Sequence, residues 1–147
     1  MTATASKRIL ICDDDADILD LIKTLLCNAG YSVTTATGYE EFFANYKASK
    51  PDLILMDIRM PEHDGFWMAE ELLRLSNKAP IIFVSAHNRS VYRLCAPIAG
   101  AIDFIIKPFD PDHLLGRVRN ALKVNPASSN WFLYTSSYKP AVQETTE

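Results

Sequence analysis

The sequence has no apolar run approaching the roughly 20 residues that a membrane-spanning helix requires, which excludes a transmembrane helix. Its N-terminus has no apolar stretch before the Lys7-Arg8 pair, and Ile9-Leu10-Ile11 is too short for the core of a secretory signal. Cysteine is scarce. Cys12, Cys27 and Cys95 are odd in number, far apart, and form neither a CxxC nor a zinc-ligand spacing. They read as small reduced core residues of a cytoplasmic protein. The three histidines, His63, His87 and His113, make no metal or catalytic spacing. With only five glycines there is no Gly-rich phosphate loop of the nucleotide-binding kinds. Excess positive charge is missing too: 15 Lys+Arg against 18 Asp+Glu give a net charge of −3, which argues against a broad nucleic-acid surface.

What is present is a core. The 147 residues are 48% hydrophobic, enough for one well-packed domain with a short appendage. Short apolar runs recur at Ile9–Cys12, Ser32–Ala36, Leu53–Met56, Ile81–Val84 and Ile102–Ile106. Four of the five are nearly continuous rather than alternating, as expected for parallel strands covered on both faces. Helical periods separate and follow them: Ile18, Leu21, Ile22, Leu25 and Leu26; then Phe42, Phe43 and Tyr46; then Phe66, Met68, Ala69, Leu72, Leu73 and Leu75; then Val91, Leu94 and Cys95; then Leu114, Leu115, Val118, Ala121 and Leu122. The order β-α, five times over, predicts a doubly wound α/β fold.

The punctuation agrees. Gly30 follows Asn28-Ala29 as a left-handed helix end, and Pro111 suits the first turn of the last helix. Gly30, Gly38, Gly65 and Gly100 fall between elements, and Gly116 falls inside one. Pro97 falls late in the fourth helical segment and predicts a kink or early end there. The domain is expected over residues 7–124. Residues 125–147 form a tail with a linker-like start and the aromatic segment Trp131-Phe132-Leu133-Tyr134, too short for a helix-turn-helix output domain.

In an open parallel sheet, sites form at the carboxyl ends of strands. Asp13-Asp14-Asp15 follow the first run, Asp57 the third, Ser85 the fourth and Lys107-Pro108 the fifth. Asp15 and Asp17 suit helix caps. Asp13, Asp14, Asp57, Ser85 and Lys107 converge on one edge, and this joint placement on four strand ends outweighs the ordinary role of each alone.

Five motifs carry a resemblance: Ile11-Cys12-Asp13-Asp14; Met56-Asp57-Ile58-Arg59-Met60-Pro61 with Asp64-Gly65; Val84-Ser85-Ala86; Gly100-Ala101-Ile102-Asp103-Phe104; and Lys107-Pro108-Phe109. Over residues 7–124 the chain resembles the receiver domain of two-component response regulators, and two readings stand: a stand-alone receiver, the one preferred, or a piece of a larger regulator or hybrid kinase. The resemblance implies a flavodoxin-like, three-layer sandwich with strand order 2-1-3-4-5. It implies that Asp57 accepts a phosphoryl group from the phosphohistidine of a sensor histidine kinase or a histidine phosphotransfer protein. It implies a Mg²⁺ site of Asp13, Asp14, the Asp57 carboxylate and the Arg59 backbone carbonyl. Ser85 matches the switch hydroxyl, Phe104 the switch aromatic and Lys107 the site ammonium. The face built on helix four, strand five and helix five is the implied readout surface for a downstream protein or a second copy of the chain. A cis Lys107-Pro108 peptide is implied as well.

Elementary electrostatics points the same way. Three carboxylates and one lysine leave −2 in a small site. Two like charges about 4 Å apart repel by roughly 4 kcal/mol at an effective dielectric near 20. A divalent cation brings the sum to zero, and Mg²⁺ suits a site with few carboxylates and a phosphate substrate. Phosphoryl transfer needs positioning and charge neutralisation more than covalent help. A carboxylate nucleophile gives an acyl phosphate, whose hydrolysis sets a signal lifetime. Arg59 and His87, two residues beyond Asp57 and Ser85, are candidates for tuning it. Phe104 has no hydroxyl to hold it in water and is expected to turn inward even without phosphate. Two other functions compete. A haloacid-dehalogenase-type hydrolase needs a second acid two residues after the nucleophile, where Arg59 stands. A pure interaction module without phosphoryl chemistry would not need all five motif residues. The expected protein is therefore a switch rather than an enzyme, with no membrane or direct nucleic-acid partner.

Overall fold

The structure is a computed structural model that describes residues 5–86, 95–97 and 99–123. Strands β1 (Arg8–Cys12), β2 (Ser32–Ala36), β3 (Leu53–Met56), β4 (Ile81–Ser85) and β5 (Ala101–Ile106) form one parallel sheet in the order β2-β1-β3-β4-β5. Helices α1 (Ala16–Asn28), α2 (Tyr39–Ser49) and α3 (Gly65–Arg74) alternate with the strands, and a further helix spans Pro111–Leu122. This is the flavodoxin-like order, with the switch point between β1 and β3.

The continuous apolar strands have a direct cause: both faces are covered. Leu10, Met56 and Phe83 pack with Phe42 of α2 and with Met68, Ala69 and Leu72 of α3. Ile9, Ile11, Leu55 and Val84 pack on the opposite face with Leu19, Ile22 and Leu26 of α1 and with Leu114, Val118 and Ala121 of the 111–122 helix. Each such fully buried aliphatic side chain contributes about 1.5–3 kcal/mol over leaving it in water.

Short polar side chains set the helix starts. The Asp15 carboxylate accepts the Asp17 and Ile18 amides, Asp64 accepts Trp67 N–H, and Asp110 accepts Asp112 N–H ahead of Pro111. Asp17 is not a cap; it lies in the first turn of α1, where its charge suits the helix dipole. At the far end of α1, Gly30 takes φ +97°, its N–H donates to Cys27 O, and Tyr31 N–H donates to Leu26 O. This paired closure is the glycine-ended stop expected from the sequence.

Several sequence expectations need correction. Leu21, Leu73 and Leu75 do not join the buried faces; they are exposed. Leu19 takes the core position beside Ile22 instead. A helix turns 100° per residue, so one of several adjacent leucines must leave the core. Cys12 is buried, but Cys27 is exposed and Cys95 only half-buried. Gly65 opens α3 rather than lying between elements. Near Pro97, helical backbone spans 95–97 and residues 99–100 form a turn with Gly100 at φ +88°. The rest of that segment, with Val91 and Leu94, and the aromatic tail lie outside the described residues, and among the described residues no helix is long and apolar enough to cross a membrane.

Candidate functional site

The sheet's own ladders deliver the site residues. Just past β1, Asp13 N–H donates to Ala36 O at 3.1 Å, and just past β3, Asp57 N–H donates to Cys12 O at 2.9 Å. Lys107, just past β5, donates its N–H to the carbonyl of Ser85, the last residue of β4, at 2.9 Å. The carboxyl ends of β1, β3, β4 and β5 thus lie at one edge of the sheet, with β4 and β5 running two residues past the level at which β1 and β3 end. The Lys107-Pro108 peptide is cis, as the family resemblance implied.

The side chains meet there. Carboxylate oxygens of Asp13, Asp14 and Asp57 all lie within 4.8 Å of one another. Asp13 and Asp57 are buried and Asp14 is exposed, so the cluster opens to water on one side. Lys107 Nζ lies 2.5 Å from Asp13 Oδ2 and 3.3 Å from Asp57 Oδ2. The Arg59 amide donates to Asp57 Oδ1 at 3.4 Å, and the Asp15 amide to Asp13 Oδ1 at 2.9 Å. Burial raises the pKa of Asp57, and the neighbouring Asp13 charge adds to the rise, against the opposing pull of Lys107. Burial alone would lower the Lys107 pKa, but its hydrogen bond to Asp13 and the Asp57 charge outweigh that and raise it. The Cys12 thiol beneath is pushed up to about 12, first by burial and then by Asp13 and Asp57, so it stays protonated and unreactive.

Ser85 is fully buried, and Phe104 is buried opposite Phe83 in the face that holds α2 and α3. Arg59 is exposed at the mouth, while His87 lies outside the described residues. His63 stacks on Trp67 with ring centroids 3.6 Å apart and meets Tyr39 edge-on. His113 is exposed on the 111–122 helix.

Two features carried no assigned role in the sequence. A Cβ on Gly65 would stand 2.4 Å from Asp57 O and 3.0 Å from Ile58 Cα, and Gly65 N–H donates to Ile58 O at 2.7 Å. The start of α3 therefore rests directly on the backbone of Asp57, which only glycine permits. Asp103 is buried and paired with Arg117. Its signal was a charged residue inside an apolar strand.

Comparison with known proteins bears on this arrangement. The family model of the response regulator receiver domain matches residues 9–119. The chain belongs to the receiver family. The chemotaxis protein CheY of Thermotoga maritima is 38% identical over 118 residues, which cover 80% of this chain and 98% of that one. The protein of Porphyridium aerugineum named "Probable transcriptional regulator ycf27" is 38% identical over 125 residues, 84% of this chain and 52% of that one, so this chain spans about half the length of that relative. The crystal structure of a CheY-like receiver domain protein from Methanospirillum hungatei superposes with a TM-score of 0.76 at 33% identity, covering 80% of this chain and 94% of that one. Receiver domains are signalling modules of two-component systems, and this receiver carries an acidic pocket at the expected edge.

Proposed function

We propose that this receiver, bounded by residues 7–124 and followed by the tail 125–147, is a phosphoacceptor switch whose nucleophile is Asp57. The observation that carries this reading is the meeting of the Asp13, Asp14 and Asp57 carboxylates within 4.8 Å, with the Lys107 ammonium 3.3 Å from Asp57. An Asp57 oxygen attacks the phosphorus of a phosphohistidine on a kinase or phosphotransfer protein. The new P–O bond forms as the P–N bond breaks, and the imidazole leaves with its electron pair. Lys107 stands ready to pair with a phosphoryl oxygen.

The donor set suits Mg²⁺. It is all oxygen, carries a surplus of negative charge, and is open on the Asp14 side. Asp13, Asp14, Asp57 and the Arg59 carbonyl would hold it. Bound Mg²⁺ supplies positive charge against the transferring phosphoryl oxygens. The phosphoryl group brings about −1.5 to −2 of charge and three acceptor oxygens. Ser85 donates to one of them, and Phe104 packs behind it. The buried ring supports an inward position for Phe104 before phosphorylation. The readout face is built from the segment around 95–97, β5 and the 111–122 helix, and it meets a downstream protein or a second copy of the chain. Arg59 and His87 tune hydrolysis of the acyl phosphate. The setting is the cytoplasm.

The test is incubation with Mg²⁺ and a small acyl-phosphate donor, read by intact mass. One added phosphoryl group, absent in Asp57→Asn and absent with chelator, is the expected result. Wild-type protein that takes up no label under those conditions is a pure interaction module, and the reading fails. Exchanging Arg59 and His87 for small polar residues is expected to change the dephosphorylation rate; an unchanged rate removes their role.

A further inference from the structure

The β4–β5 ladder is irregular. Ile81 pairs with Ala101, yet Ile82 pairs with Asp103, so β5 carries one extra residue at Ile102. Such a bulge changes which face the following side chains take. Residues three apart on a regular strand lie on opposite faces. Here Ala101 and Phe104 share the face that holds α2 and α3. Ile102 joins the cluster of the 111–122 helix on the other face, and Asp103 meets Arg117 of that helix. The bulge therefore decides that Phe104, opposite Phe83, faces α2 and α3 and not the 111–122 helix.

One side chain sits at the bulge and bonds in both directions. Asp103 Oδ1 accepts the backbone N–H of Phe104 at 2.8 Å. The same oxygen accepts a hydrogen bond from Arg117 Nη1. Both side chains are largely withdrawn from water, at 4% and 15% exposure. Burial raises the Asp103 pKa while the Arg117 hydrogen bond and charge lower it. The carboxylate is thus a shared anchor for the switch strand and for the helix behind it.

We propose that Asp103 and Arg117 are positioning residues for the switch: together they hold the bulge that aims Phe104 and tie its movement to the 111–122 helix. This rests on the phosphoacceptor reading above. The bonds shown for the pair run to each other and to the Phe104 amide rather than to Asp13, Asp14, Asp57 or Lys107, so phosphorylation of Asp57 is expected without them. Transmission to the helix does. A backbone shift of β5 at Phe104 moves the Phe104 amide, the amide pulls on the Asp103 carboxylate, and Arg117 carries the pull into the helix.

The experiment compares the full chain as wild type, Arg117→Met and the double variant Asp103→Leu/Arg117→Met. The double variant replaces a buried ion pair with apolar groups, which often restores or improves stability. It keeps the test valid where Arg117→Met folds poorly. Each protein is treated with Mg²⁺ and the acyl-phosphate donor. Uptake is read by intact mass, and amide hydrogen exchange is read over residues 111–122. The expected result is equal uptake in all three, a phosphorylation-dependent exchange shift in wild type, and loss of that shift in both variants. A shift preserved in the folded double variant overturns the proposal, because the pair then serves stability alone. Absence of uptake in wild type overturns the phosphoacceptor reading instead. Uptake without any wild-type shift in the helix leaves that reading standing and overturns the coupling.

Discussion

Lys107, just beyond β5, and Arg117, on the helix that follows, each meet buried aspartates, yet the two groups are balanced differently. Lys107 faces Asp13 and Asp57, with Asp14 close by, and the sum of the four charges is −2. Arg117 faces Asp103, and that sum is zero. The first group opens to water through Asp14, whereas both members of the second are largely covered. A surplus of charge at an open edge invites a cation and a reacting group. A charge-balanced buried pair carries no such surplus. Aspartates paired with a basic residue thus make an acidic pocket in one place and a charge-balanced pair in another.

Breaking the balanced pair is expected to give the largest stability change. Arg117→Met leaves the Asp103 carboxylate buried without its cation, a loss of about 3–5 kcal/mol. Urea denaturation measures it, and Asp103→Leu/Arg117→Met is expected to recover most of the loss. Equal midpoints for wild type and Arg117→Met would erase the contrast between the two groups.

Mg²⁺ probes the open group. At about ten times its Kd it is expected to stabilise the fold by about 1.4 kcal/mol through preferential binding to the native state. The Tm is expected to rise by the same increment in wild type and Arg117→Met, and not in Asp13→Asn/Asp14→Asn. A rise in that last variant would place the cation elsewhere.

The charge surplus also has a pH signature. The folded state raises the Asp57 pKa, mainly through burial and then through Asp13, so the native carboxyl holds its proton more tightly than the unfolded one. Stability from this group is full below the ordinary carboxylate pKa and is lost as pH rises through the folded value. Asp57→Asn has no such proton to lose. It is expected to exceed wild type in stability at neutral pH, with the advantage shrinking on acidification below the carboxylate range. Thermal melts across pH 3–7 check this, and an advantage independent of pH would contradict it.

An exposed group supplies the baseline. Arg74 pairs with Glu70 and Glu71 on the water side of α3 at 3.4 and 2.7 Å. Arg74→Ala is expected to cost less than about 0.5 kcal/mol, readable as a small shift in the urea midpoint. A cost near that of Arg117→Met would show that burial is not what separates the groups.

Much of this molecule follows from local pattern. Continuous apolar runs imply two covered faces, and the residues after them imply one reactive edge, because parallel strands all end on the same side. The meeting of Asp13, Asp14, Asp57 and Lys107 at one edge was legible for that reason. The Gly30 stop and the Asp15 cap were legible because a single residue decides each. The tertiary structure decided the rest. It chose Leu19 over Leu21, because only packing selects among adjacent apolar residues on a helix. It made Gly65 indispensable, because the clash of a Cβ with Asp57 O arises between segments that meet only after folding. It turned Phe104 toward α2 and α3 through a bulge that period-two counting cannot foresee, and it gave Asp103 a partner fourteen residues away on another element. Sequence period sets what each segment can bury; the register between segments, which no segment holds alone, sets where its functional side chains point.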